Sequence, residues 1–312
     1  MKRPRIGLAL GGGGARGFAH IGVLQVFQQA GIAVDCIAGT SMGAVVGAIY
    51  AETLDAREVE QRFADFLNSK DYQQVGIPRL ITQEEKEAGF WDQFTSNIRE
   101  RMAVNMARNR KSIIKSKRLQ KAVKHLISIE SFDECRIPLT VLATDLLNGG
   151  DVPLTSGDLY KAVTASASIP GFLPPVPLNG RLLSDGGTSC PVPVRYARGV
   201  EPTVVVGVGV PPPISRPADL ENALEIINRA EQITSLHYSR MQMQEAEFQI
   251  YPEMNNVHWY EFERMPEIIE AGKITAETLL PQLEKLLADQ VSWWQRVQMS
   301  FNNMDILDLY RT

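Results

Sequence analysis

The chain has 312 residues, 44% apolar and 22% charged, with a net charge of −4. That length suits one large domain or two small ones, and so small a net charge excludes nucleic acid as the expected partner. Its three widely spaced cysteines, Cys36, Cys135 and Cys190, form no CxxC pair, which argues against a disulfide framework or a zinc site and for a reducing cytoplasm.

The basic start MKRPR is followed by too few apolar residues for a signal peptide. Ile6 to Leu10 reads as a short buried strand and runs into a glycine-rich turn. Ala19 to Gln29 reads as a helix, with Ile21, Leu24 and Phe27 on one face and Gly31 as its C-terminal cap. Val34 to Ala38 is a second buried strand, Gly39 to Gly43 a tight turn, and Ala44 to Tyr50 the opening of a small-residue helix. Strand, turn and helix twice in succession predict a parallel α/β sheet. Residues 55–128 are polar and mostly helical in pattern. Pro138 to Ala143, Arg181 to Leu183 and Thr203 to Val208 read as further strands. Pro211 to Pro213 forms a rigid loop, and helices are expected over Asp219 to Phe248 and Pro266 to Asp289. No repeat, low-complexity linker or apolar run of about 18 residues occurs, so one α/β domain with a helical insertion and only peripheral membrane contact is expected.

Gly12, Gly14 and Gly17 spell G-x-G-x-x-G between a strand and a helix, the setting of a dinucleotide fingerprint. That fingerprint also needs an acid at the C-terminal end of the second strand, whereas Asp35 stands at its start. No Gly-Lys-Ser/Thr follows to make a P-loop. At the correct strand end the chain offers Gly39-Thr40-Ser41-Met42-Gly43, a G-x-S-x-G sequence. A serine on so sharp a strand-to-helix turn needs neighbours at ±2 without side chains, and its position at a helix N-terminus favours developing negative charge. Such a hydroxyl is a weak nucleophile until a base takes its proton. The four histidines, His20, His125, His237 and His258, sit in no local motif. Asp185, in Leu182-Leu183-Ser184-Asp185-Gly186-Gly187, stands at the end of an apolar strand, where catalytic groups converge on such sheets, although Asp-Gly is also an ordinary turn.

Three motifs in this order, GGGARG at Gly12 to Gly17, GTSMG at Gly39 to Gly43 and DGG at Asp185 to Gly187, resemble the patatin-like phospholipase family. Ala165 to Pro170 (ASASIP), Thr155 to Asp158 (TSGD) and, more faintly, Glu267 to Gly272 (EIIEAG) add to the resemblance. It covers about Arg5 to Val210, is loose over 55–134 and ends by about Gln290. It implies an α/β fold, a patatin-like three-layer sandwich with a mostly parallel central sheet, a nucleophile elbow after the second strand and a helical insertion or cap over 55–134. All of this would lie in a single domain, 1–312, with a core of about 5–210, C-terminal helices to about 289 and an extension over 290–312. The resemblance implies a serine acyl hydrolase that cleaves carboxylic esters of lipids or phospholipids, and with no metal-ligand cluster visible in the sequence, turnover without cofactor or metal is expected. Ser41 would be the nucleophile and Asp185 the proton acceptor. Backbone N–H groups of Gly12, Gly13 and Gly14 would form the oxyanion hole, supported by Arg16, Gly17, Gly39, Gly43, Gly186 and Gly187. Arg16 would fix the loop or meet substrate phosphate.

Two other readings stand beside this one. In a Ser–His–Asp α/β-hydrolase, His237 or His258 would join Ser41 and Asp185, but there the serine normally follows several strands rather than two. A lipid-binding relative would keep the fold with little turnover. Arg99 to Lys124 is strongly basic, with Glu100 its one acid and Met102, Ile113, Leu119 and Val123 interleaved. With Phe90, Trp91 and Phe94 it is expected to form a lid or an entry surface on anionic lipid, at the inner face of the membrane, or else a cap whose apolar residues cover the core. Trp294, Val297, Phe301 and Met304 recur at helical spacing and suit core packing, a dimer contact or a membrane foot; a homo-oligomer is left open.

Overall fold

The computed structural model describes residues 3–75, 116–212, 223–254 and 257–302. Its centre is built from four apolar strands, β1 (Ile6–Leu10), β2 (Cys36–Thr40), β3 (Leu139–Asp145) and β7 (Val204–Val208). β1, β2 and β7 are buried at every position, as strands covered on both faces must be. β4 (Asp151–Leu154), β5 (Val176–Leu178), β6 (Arg181–Asp185) and β8 (Phe248–Ile250) complete one mixed sheet. Its order is β5-β6-β3-β2-β1-β7-β8, with β4 paired to β3 off that path. β3, β2, β1, β7 and β8 are parallel, while β4, β5 and β6 are joined by antiparallel pairing.

Side chains alternate between two cores. Leu8 and Leu10 of β1, with Val206 and Val208 of β7, pack among α1 (Ala19–Gln29), α2 (Met42–Thr53), α3 (Ala56–Leu67) and α9 (Met265–Asn302). Ala9 and Val205 face the other way, against Val194 of α7 (Val194–Ala197) and Met243 of α8 (Ala223–Met243). The result is helix, sheet and helix in three layers. The remaining helices are α4 (Lys70–Val75), α5 (Ser116–Leu126) and α6 (Leu159–Ser166). No helix among the described residues is long and apolar enough to cross a membrane.

The pairing register creates a seam. β2 pairs along β3 up to Thr40 opposite Leu142, and β4 occupies the other edge of β3 over Val141 to Thr144. β6 therefore takes over the β2 edge, with Asp185 opposite Ala143. Two strands of opposite direction thus meet end to end, and the residue after Thr40 falls beside Asp185.

Several boundaries differ from the sequence reading. β2 runs to Thr40, so the tight turn begins at Ser41 rather than Gly39. Asp35 lies before the strand, its backbone N–H bonded to Ile6 O and its carboxylate holding Arg3 and the Ile6 N–H. Phe248 is not the end of a helix: α8 stops at Met243, and Phe248–Ile250 supplies an edge strand to β7. β4 and β5 are short strands at the sheet margin with little periodicity to betray them. α9 is one helix through Pro281 to Asn302 and so continues past the end expected at Asp289. Gly31 does close α1: it has φ +69°, its N–H bonds to Gln28 O, and the Ile32 N–H reaches back to Phe27 O, a Schellman cap.

On α5, Leu119, Ala122, Val123 and Leu126 turn inward, while Lys117, Arg118, Lys121 and Lys124 are exposed. The apolar residues of this part of the basic segment face inward rather than outward. Residues 99–115, with Phe90, Trp91 and Phe94, lie outside the described residues, as do the side chains of Trp294, Val297 and Phe301, and Met304.

The faint EIIEAG match is a packing device. A Cβ on Gly272 of α9 would overlap the Ala19 carbonyl of α1, and one on Gly22 of α1 would overlap the Ile269 carbonyl of α9. The two helices meet backbone to backbone. Gly272→Ala is expected to force them apart and cost about 1–3 kcal/mol, read as a lower urea midpoint with an unchanged m-value. An unaltered midpoint would show that the contact yields freely.

Candidate active site

Ser41 sits between β2 and α2 at φ +53°, a region that side chains other than glycine rarely occupy. Sterics make the glycines around it obligatory. A Cβ on Gly43 would strike the Leu10 carbonyl, and one on Gly39 would come 2.6 Å from Ala44 Cα. The turn holds the serine at the first turn of α2, where its N–H donates to Ser166 Oγ at 2.9 Å. Its own Oγ donates to Asp185 Oδ2 at 2.6 Å, and both residues are buried.

Asp185 is fixed from several sides. Its Oδ1 accepts the Gly187 N–H at 2.7 Å, its N–H donates to Ser168 O at 3.0 Å, and its carbonyl accepts the Thr144 hydroxyl at 3.0 Å. Gly186 passes so close to the Leu142 carbonyl that no side chain fits. Burial pushes the Asp185 carboxyl up to about 6, against the opposing hydrogen bonds from Ser41 and Gly187. A carboxylate with this pKa is a far better base at neutral pH than an exposed aspartate.

The glycine loop lies directly on this pair. A Cβ on Gly12 would stand 3.2 Å from Ser41 Cβ. The Gly12 N–H is already committed to Pro191 O at 3.0 Å, however, and the Ala15 N–H to Trp259 O at 2.7 Å. Gly12 is thus removed from the expected set of oxyanion donors, because its one proton is engaged. The N–H groups of Gly13 and Gly14 have no acceptor among the described residues. Gly14, at φ +57°, borders the same cavity as Ser41. Gly17 gives way to Met42, whose side chain occupies the space a Cβ would need.

Arg16 is buried, without an ion-pair partner and with Nε unbonded among the described residues, and burial pushes its guanidinium down to about 10. Of the histidines, buried His20 places Nε2 2.8 Å from Gly11 O, and burial pushes it down to about 4. It is a neutral prop for the loop. His125 lies 3.4 Å from Asp71, and His237 is exposed on α8. His258 stacks on Tyr260, with centroids 5.5 Å apart, and burial lowers its pKa. Neither Ser41 Oγ nor the Asp185 carboxylate takes a histidine as hydrogen-bond partner. The triad with His237 or His258 is not assembled.

The sequence reading missed the bridge between the two strands. Ser166 holds the Ser41 N–H, and Ser168 O accepts both the Asp185 N–H and the Ser184 hydroxyl, the latter at 2.8 Å. The ASASIP match marked this segment without showing its role. Beside Ser41 opens a cavity of about 110 Å³, walled by Phe63, Phe66, Val123, Phe172 and Trp259 among others.

A model of the patatin-like phospholipase family matches residues 8–198. An uncharacterised NTE family protein of Mycobacterium tuberculosis is 34% identical over 235 residues, covering 74% of this chain and 57% of that protein. Patatin-like phospholipase domain-containing protein 6 of Homo sapiens is 28% identical over 207 residues, covering 66% of this chain and 13% of that protein. The crystal structure of VipD from Legionella pneumophila aligns with a TM-score of 0.49 and 15% identity, over 90% of this chain and 67% of that one. The chain thus spans just over half the length of its mycobacterial relative, 57%.

The buried carboxylate has a stability signature. A folded-state pKa raised from 3.8 to about 6 means that the folded protein keeps a proton the unfolded chain has released, so stability falls as pH rises through this window. A rise of that size is worth about 3 kcal/mol. Asp185→Asn is expected to remove that dependence and to raise the urea midpoint at pH 8 above that of the unmodified protein. A midpoint at pH 8 equal to or below the parent's would contradict it.

Proposed function

Because the chain belongs to the patatin-like phospholipase family, we propose that it hydrolyses carboxylic ester bonds of lipids through a Ser41–Asp185 dyad. The 2.6 Å bond between Ser41 Oγ and a buried carboxylate carries this reading. Ser41 Oγ attacks the ester carbonyl carbon while its proton passes to Asp185 Oδ2. The carbonyl π electrons move to oxygen, and the N–H groups of Gly13 and Gly14, with the N-terminus of α2 behind them, stabilise that charge. Collapse of the tetrahedral intermediate breaks the bond to the alcohol, which leaves with the proton from Asp185. Water then repeats the sequence: Asp185 takes its proton, hydroxide attacks the acyl-serine, and Ser41 regains a proton as the carboxylic acid departs.

Two features support a two-residue device. The carboxylate touches the serine directly, and its pKa of about 6 lets it serve as a base near neutral pH without an intervening imidazole. The apolar cavity beside Ser41 supports an ester with a hydrocarbon chain rather than a polar acyl group. Phospholipid, lysophospholipid, acylglycerol and simple ester all carry such a bond.

A lipid panel read by mass spectrometry tests the proposal. The native protein is expected to release fatty acid from at least one ester lipid, and Ser41→Ala to do so at least about a thousandfold more slowly. Equal release by the two proteins would overturn it.

A further inference from the structure

We propose that α5, one of the described helices of the insertion, is the wall that gauges acyl-chain length, with Ala122 as its limiting position. This rests on the ester-hydrolase reading above. The cavity that opens at Ser41 is bounded near the serine by Gly14, Met42, Phe172 and Trp259, and elsewhere by α3 and α5. Among the described residues no charged side chain lines it, and only Ser41, Tyr72 and Trp259 carry a polar side-chain N or O atom. A headgroup would be desolvated there without compensation, whereas a hydrocarbon chain gains from burial. The group that reaches this space from a carbonyl held at Ser41 is the acyl chain.

α5 presents Leu119, Ala122, Val123 and Leu126 to this space at helical spacing, and Ala122 is the smallest of them. The wall is anchored. Arg62 donates to the Leu126 carbonyl at the C-terminal end of α5, at 3.2 Å, while gripping Glu52 of α2 at 2.8 and 2.9 Å. Lys121 pairs with Asp71 of α4 at 2.7 Å, and the His125 ring packs on Phe66 with centroids 5.5 Å apart. A larger side chain at position 122 cannot push such a helix aside and must fill the cavity.

The test is the ratio of kcat/KM for p-nitrophenyl octanoate to that for p-nitrophenyl acetate, with Ser41→Ala as the control for the site. Ala122→Phe is expected to lower the ratio by about tenfold or more, mainly through the KM of the octanoate. Leu119→Trp, at a half-buried position that tolerates a larger residue, is expected to move it in the same direction and decides the matter should Ala122→Phe not fold. Folded variants with the parent's ratio would overturn the gauge while leaving the hydrolase reading intact, provided Ser41→Ala is inactive. Turnover of both esters surviving Ser41→Ala would instead sink the hydrolase reading, and the gauge with it.

Discussion

The hydrogen bond from Ser41 Oγ to Asp185 Oδ2 depends on two strands of opposite direction meeting end to end along one edge of β3. β2 delivers a serine and β6 an aspartate to the same point, opposite neighbouring residues of a third strand. Strand ends are stiff, so the pair is placed by backbone register rather than by flexible side chains. The segment Ser166–Ser168 clamps both ends of the seam, one hydroxyl on the serine N–H and one carbonyl on the aspartate N–H. Thr40 and Thr144 reinforce it by donating to the carbonyls of Cys190 and Asp185.

The same crowding that fixes the seam sets its chemistry. Gly39, Gly43 and Gly186 have no side chains because neighbouring backbone fills that space, and the close packing leaves Asp185 buried. Desolvation raises the carboxyl pKa, which costs stability above pH 6 and makes the group a useful base. In the proposed mechanism, function and stability are thus opposed at a single atom pair, as is common where buried charge does chemistry. The apolar cavity begins where this polar pair ends, and Met42 and Val45 of α2 line it with Ser41.

Much of this was legible in the residues. Apolar runs such as Ile6 to Leu10 and Thr203 to Val208 marked central strands, because burial on both faces leaves no room for polar residues. Ser41 and Asp185 were legible because glycine is required at fixed offsets from a crowded turn. Local sequence does not reveal which N–H groups are free. Gly12 looked equivalent to Gly13 and Gly14 until Pro191, far away in sequence, was found accepting its proton. The helical pattern of α5 was visible, but the face it buries is decided by its packing on α3, α4 and α6, so its apolar residues resembled a lipid-binding stripe. Phe248–Ile250 was hidden for a related reason: its strand character comes from the open edge of β7 rather than from its own short pattern.

The central claim is that Asp185 activates Ser41 without histidine, and the rate constant for labelling Ser41 with a fluorophosphonate tests it most directly. The rate is predicted to rise through an inflection near pH 6, where Asp185 loses its proton. It should collapse in Asp185→Asn and persist in His237→Ala and His258→Ala. Labelling that survives Asp185→Asn but is lost with either histidine would contradict the account.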